Sequence, residues 1–275
     1  MPSTHSRKRL NFFLTQWADW GLQSEPRLIS VFTAGKNHLT ALLSHNNDKL
    51  VLKIFDHSFE QAVIAQTRAS KLGIAPKVLF SQKPVALMEY VNTEQPSLES
   101  TAQALTLLHS IPITDQKPFD LKGFYASYLE NAPRSIKAWH EQLTGLVDEF
   151  LTHPISVCFC HNDLVNENCL GSNDQAIIID WEFAQANNPW FDLAAIILYR
   201  DLSLDEAKAF LSAYSNDWSD QTSERIFLSS QLTLLWGDLL WHLHKYGNDY
   251  AQQNTARFDK VDELATQLGV SLQPA

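Results

Sequence analysis

The chain has 275 residues, 45% of them hydrophobic and 19% charged, with a formal net charge of -10 at pH 7. That length and composition suit one large domain or two modest ones around a real apolar core. The acidic excess argues against a nucleic-acid partner, which needs a basic face to neutralise phosphates, and against docking on an anionic membrane.

The first ten residues carry Arg7, Lys8 and Arg9 but no apolar stretch of signal-peptide length. No run approaches a membrane span, so the expectation is a cytoplasmic chain with no membrane insertion and no protein partner implied. The three cysteines, Cys158, Cys160 and Cys169, are odd in number and clustered. Cys-x-Cys spacing without a fourth ligand does not suit zinc, so they read as small buried hydrophobes with reduced thiols.

In chain order, residues 11–22 alternate apolar and polar positions at helical spacing and predict a helix. Residues 28–32, 39–44 and 50–55 read as strands, the last two separated by the polar turn His45-Asn46-Asn47-Asp48, which predicts an antiparallel meander. A helix over 58–72 closes at Gly73, and short strands follow at 77–81 and 85–91. Residues 92–97 form a polar, Pro-containing connector and the expected lobe boundary, giving domains 1–91 and 92–275. Helices are predicted over 98–109, 124–130, 135–151, 204–214, 223–246 and 256–268, with strands at 155–160 and 176–179. The fold class expected is α+β, a small antiparallel β-rich N-lobe with one main helix and a larger, mostly helical C-lobe.

The chemistry concentrates between residues 160 and 180. Asp163 and Asn168 lie five positions apart on a loop leaving a strand, and Asp180 ends the apolar strand that follows. A hairpin between them can gather a carboxylate for an attacking hydroxyl and oxygen ligands for Mg2+, the needs of phosphoryl transfer. Each element alone is commonly a turn or a helix cap; the combination is what points to chemistry. His161, first in the loop, is expected to hold its backbone rather than to act as acid or base.

The run from His161-Asn162-Asp163 to Asn168 resembles the His-x-Asp-x-x-x-x-Asn catalytic loop of protein kinases and aminoglycoside phosphotransferases. Asp180-Trp181-Glu182 is similar to the Asp-(Trp/Phe)-Glu of the aminoglycoside phosphotransferase and choline kinase superfamily. The phrase from Phe159 to Leu164, Trp236-Gly237, Asp249-Tyr250-Ala251 and Arg257-Phe258 look like choline kinases. One departure is Glu167, where the family usually has Gly.

That resemblance implies a two-lobed protein-kinase-like fold and an ATP- and Mg2+-dependent transfer to a primary hydroxyl. Asp163 would be the catalytic base or orienting group and Asn168 and Asp180 the metal ligands, with Glu182 assisting at the acceptor through a water. Asp192 would brace the loop. Lys53, a lone cation in the run Val51-Leu52-Lys53-Ile54-Phe55, would hold the α- and β-phosphates with Glu60 as its partner. Gly35 and Asn37 fit a degenerate phosphate loop, and Glu89 and Val91 fall at an adenine hinge. Trp236 and Trp241 are either core or walls of a cage for a cationic head group. The expected acceptor is a small cationic alcohol such as choline, ethanolamine or thiamine. Alternatives are an aminoglycoside-type phosphotransferase and a catalytically silent nucleotide-binding scaffold.

Overall fold

The computed structural model describes residues 4–32, 38–92, 94–113, 117–153, 156–215 and 220–273. Packing divides the chain into two compact units, one of Met1–Ile111 with Asn166–Ala184 and the other of Pro112–Val165 with Gln185–Ala275. This division is discontinuous along the chain, whereas a shift in composition can mark only a single cut.

The first unit is built on an antiparallel sheet of β1 (Arg27–Phe32), β2 (Leu39–His45), β3 (Asp48–Ile54), β4 (Val78–Gln82) and β5 (Val85–Glu89) in the order β1-β2-β3-β5-β4. The expected meander is therefore present, and Asn46 closes the β2–β3 turn at φ 54°, a conformation Asn tolerates. Because side chains alternate along a strand, β3 sends Leu50, Leu52 and Ile54 to one face and Val51 and Lys53 to the other. The first face packs with Leu43, Leu87, Leu10 and Trp20. On the second, Ala86, Met88 and Phe55 meet Phe59 and Ala62 of α2 (Phe59–Ser70).

The N-terminal helix differs from the predicted 11–22: α1 spans Thr4–Leu14, and a separate 3-10 turn covers Trp17–Trp20. At the break the Thr15 hydroxyl donates to the Phe12 carbonyl, an alternative to the helical ladder, and Gly21 ends the segment at φ 75°. The unit is completed by α3 (Leu98–His109), capped by the Ser97 side chain, and by the hairpin formed below by residues 169–178.

The second unit is helical around α8 (Asp220–Tyr246), against which pack α4 (Leu121–Leu129), α5 (Arg134–Thr152), α6 (Trp190–Tyr199) and α10 (Thr255–Gln267). On α5 the buried positions Ile136, Leu143, Leu146, Val147 and Phe150 form one stripe at helical spacing. The helices α7 (Leu204–Tyr214) and α9 (Asn248–Gln253) complete the set. Three elements of this unit, α6, α9 and β9 (Gln185–Asn187), were not expected from the sequence. Helix α6 is buried from Trp190 through Ile197, so it shows no amphipathic period. The strand β9, too short to read, pairs antiparallel with β6 (Cys158–Cys160). All three cysteines are free thiols. Among the described residues no helix is long and apolar enough to cross a membrane.

The strands β7 (Cys169–Ser172) and β8 (Gln175–Ile178) pair tightly, and Gly171 occupies φ 139° where a Cβ would lie 2.1 Å from the Gln175 carbonyl oxygen. A left-handed backbone plus that clash should make Gly171→Ala costly, by about 2 kcal/mol or more. Equilibrium urea unfolding checks this, and a variant as stable as the parent would show that the hairpin relaxes freely.

Candidate active site

The first unit carries the groups suited to phosphate and metal. Lys53 is 8% exposed within β3, and its ammonium meets Asp180 Oδ1 at 2.5 Å. A buried ammonium needs such a partner, since an isolated charge in an apolar setting is strongly disfavoured. Glu60 does not provide it. It is exposed and pairs with Lys83 at 2.9 Å, whose hydrogen bond holds the Glu60 carboxyl below the usual carboxylate range. The reason is helical phase: α2 turns Phe59, Ala62, Ala65, Gln66 and Ala69 inward, which leaves Glu60 outside. Helix α2 instead grips the segment after Asp180 through Gln61, whose amide donates to the Ala184 carbonyl at 3.1 Å.

Asn168 and Asp180 stand at the two open ends of the β7–β8 hairpin, in which Cys169 faces Ile178. The Ile179 N–H donates to the Asn168 carbonyl at 2.9 Å, so the two residues leave the hairpin side by side. Asp180 adopts φ 66°, and a 3-10 turn over Trp181–Phe183 follows. Buried Trp181 pins that turn by donating its indole N–H to the Ile178 carbonyl at 2.9 Å. A carboxylate and an amide oxygen are hard donors, so this pair fits Mg2+. Glu182, expected near the acceptor, lies buried in this unit and accepts a hydrogen bond from His38.

Gly35 and Asn37 lie outside the described residues. Glu89 ends β5, where its N–H donates to the Lys77 carbonyl at 3.1 Å and its carboxylate accepts from the Lys77 N–H at 3.2 Å. Val91 is half-buried just beyond it.

The second unit presents Asp163. As β6 ends, His161 and Asn162 are buried and turn their N–H groups onto one carboxylate, Asp192 Oδ2 at 2.7 Å and Oδ1 at 2.8 Å. Asn162 takes φ 67°, and its side-chain oxygen accepts from the Asn187 amide at 2.7 Å. The Asp163 N–H donates to His161 Nδ1 at 3.3 Å, which is the backbone-holding role expected of His161. Beside the loop, burial pushes the Cys160 thiol well above its ordinary range, with its Sγ 3.5 Å from that of Cys158.

A second cluster in this unit was only partly anticipated. Burial first, then the charges of Asp238 and Asp163 against that of Arg257, pushes the Tyr199 phenol well above the usual tyrosine range. Tyr199 therefore stays protonated within the fields of both carboxylates. Burial would raise Asp238, but a hydrogen bond from His242 and the charge of Arg257 prevail and hold it below its ordinary value. Arg257 also donates to the Tyr250 hydroxyl at 2.6 Å, and Tyr250 stacks on His242 with ring centres 4.7 Å apart.

The aromatic pair read as either core or cage divides. Trp241 is half-buried, and the Lys245 ammonium rests 5.6 Å from its ring centre. Trp236 is fully buried, stacks on His140 and donates its indole N–H to His140 Nδ1 at 3.0 Å. A ring with no exposed face cannot wall an acceptor pocket, so Trp236 is core.

An antiparallel sheet followed by helices, a lysine bound to a strand-end aspartate and a clasped Asp-bearing loop define the kinase-like class of phosphotransferase. Residues 29–226 match the phosphotransferase enzyme family, and the chain belongs to it. It is 26% identical over 267 residues to LicA of Haemophilus influenzae, across 85% of this chain and 79% of that protein. Its fold is similar to that of a choline/ethanolamine kinase family protein from Mesorhizobium loti, with a TM-score of 0.71 and 20% identity over 89% of each chain. The choline kinase LicA from Streptococcus pneumoniae matches equally, TM-score 0.71 and 20% identity, over 97% of this chain and 99% of that one.

Removing the Trp236 ring should lower stability by about 3–5 kcal/mol in urea unfolding, as for other fully buried aromatics. Burial also holds His140 below the ordinary value of 6.5, against opposing charges from Glu141 and Asp148. A histidine kept neutral in the fold gives stability that is present above 6.5 and is lost as pH falls through its lower folded value. Unfolding measured from pH 7.5 down to pH 5 should show that slope, and His140→Gln should flatten it.

Proposed function

We propose that the chain transfers the γ-phosphoryl group of ATP to the primary hydroxyl of a small cationic amino alcohol of the choline or ethanolamine kind, with Mg2+. One observation carries the reading: Lys53 is buried against Asp180, with Asn168 leaving the same hairpin beside it. Lysine and oxygen ligands in that arrangement suit a polyphosphate and its metal, and little else explains an ammonium in the middle of an apolar strand.

In this reading Lys53 binds the nucleotide phosphates, and Asn168 and Asp180 hold the metal. When bound, Mg2+ supplies charge that offsets the negative charge of those phosphates. Asp163 accepts the hydrogen of the acceptor hydroxyl and aims its oxygen at phosphorus. Asp192 keeps Asp163 in place through the backbone of the loop. The hinge role of Glu89 and Val91 rests on their place at and just beyond the end of β5.

The acceptor assignment rests on the second unit. Tyr199 shares its electrostatic surroundings with Asp163 and Asp238, and Tyr250 and His242 present stacked faces beside Arg257. Aromatic faces are the chemistry that holds an ammonium head. The nearby Lys245–Trp241 contact shows a cation resting on an aromatic face of the same helix. The structural relatives named for choline support the same class of acceptor.

An ADP-release assay across choline, ethanolamine, thiamine and an aminoglycoside tests the assignment. Turnover should appear with the amino alcohols and disappear on chelation of divalent cations. Asp163→Asn should lower kcat by roughly 10²–10⁴-fold, the usual contribution of a positioned base, with the thermal midpoint unchanged. Full activity in that variant would remove Asp163 from the reaction, and turnover with the aminoglycoside alone would move the acceptor class.

A further inference from the structure

Within the first unit a histidine that the sequence did not single out sits at the junction of three segments. His38 immediately precedes β2 and is 8% exposed. Its Nδ1 accepts the backbone N–H of Asp56 at 3.2 Å, at the turn between β3 and α2. Its Nε2 meets Glu182, 5% exposed, in the turn that follows Asp180. The ring also packs on Phe55 and on His57, each with ring centres 4.8 Å apart.

These contacts settle the tautomer. An N–H pointing at Nδ1 requires a lone pair there, so the neutral ring carries its hydrogen on Nε2 and donates it to Glu182. The same fact decides between two roles for the cluster. The ligating atoms of His38, His57 and Glu182 all lie within 4.8 Å of one another, close enough to suggest a metal site. A metal-binding histidine, however, offers one bare nitrogen to the ion and donates the hydrogen of the other to an acceptor. In His38 the bare nitrogen is spent on Asp56, and the nitrogen facing Glu182 holds the hydrogen. The ring is set up to orient a carboxylate.

We infer that His38 is a positioning residue for phosphoryl transfer, fixing Glu182 and with it the turn that carries Asp180. The inference rests on the kinase reading above and adds a residue to it. A bond from His38 to Glu182 ties the start of β2 to the Asp180 turn, while Gln61 ties α2 to the end of the same turn at Ala184. Two unrelated elements thus clamp a turn whose first residue, Asp180, sits in the left-handed region at φ 66°. A turn in that conformation holds its carboxylate only if its surroundings over-determine it. The predicted effect falls on the phosphate and metal side and leaves acceptor binding alone.

The test separates the two ring nitrogens. His38→Gln places an amide N–H near the Nε2 position and can still reach Glu182. His38→Asn keeps an acceptor near Nδ1 for the Asp56 N–H but falls short of Glu182. In the full chain, His38→Asn should lose roughly 10–100-fold in kcat and need more Mg2+ for half activity. The acceptor KM should stay within about twofold. His38→Gln should recover most of the loss, and His38→Asn combined with Glu182→Ala should be no worse than either alone, since both remove one interaction. Wild-type kcat in His38→Asn, additive losses in the double variant, or a change confined to the acceptor KM would overturn the inference. If His38→Asn does not fold, Glu182→Ala takes its place: lowered kcat with a raised Mg2+ requirement supports the inference, and unchanged activity overturns it. A wild-type chain that phosphorylates no alcohol sinks the kinase reading and this inference together, an outcome distinct from all of these.

Discussion

A lysine in the middle of a buried strand needs an anion, and much of the first unit follows from that need. Lys53 sits on the α2 face of the sheet between strands that pair it with Thr40 on one side and Ala86 on the other. Neither neighbour can answer the charge. Helix α2 offers one acidic residue, Glu60, and its apolar stripe turns that residue to solvent. The remaining source is a carboxylate from a distant part of the chain, and the hairpin β7–β8 delivers Asp180. Residues 166–184 accordingly belong to the same compact unit as the sheet, although more than a hundred residues separate Lys53 from Asp180.

The second unit solves a backbone problem. The loop after β6 is buried, so its N–H groups need acceptors within the protein. Asp192, in the first turn of the buried helix α6 and with no exposed surface, takes two of them with its two oxygens. The Asn162–Asn187 bond and the pairing of β6 with β9 then hold the left-handed residue at 162. Asp163 is the outcome: half-buried, on rigid backbone, beside the protonated Tyr199.

Charge is handled differently in the two units. In the first, the buried lysine is bound to a carboxylate, a hard oxygen donor of the kind that suits a metal. In the second, Asp238 is saturated by Arg257 and His242, which keeps it ionised deep in the unit and leaves aromatic faces beside it. The first arrangement suits polyphosphate with its counter-ion and the second a small polar head group.

Much of this was legible in the amino-acid order. Alternation and turn residues pointed to the antiparallel sheet, the lone Lys53 stood out against its apolar neighbours, and the spacing of Asp163, Asn168 and Asp180 marked the candidate site. Those features depend on residue type and local period, which the chain carries in itself. What it could not show was partnership. Glu60 and Trp236 were on the right helices but on faces whose orientation is set by packing, and α6 was invisible because burial on every side erases the period. His38 gave no signal, since its role comes from Asp56 and Glu182, one nearby and one 144 residues away. Sequence alone determined which groups could do phosphoryl-transfer chemistry; the tertiary structure decided which of them meet, because a helix or strand has a defined apolar face but no record of what will cover it.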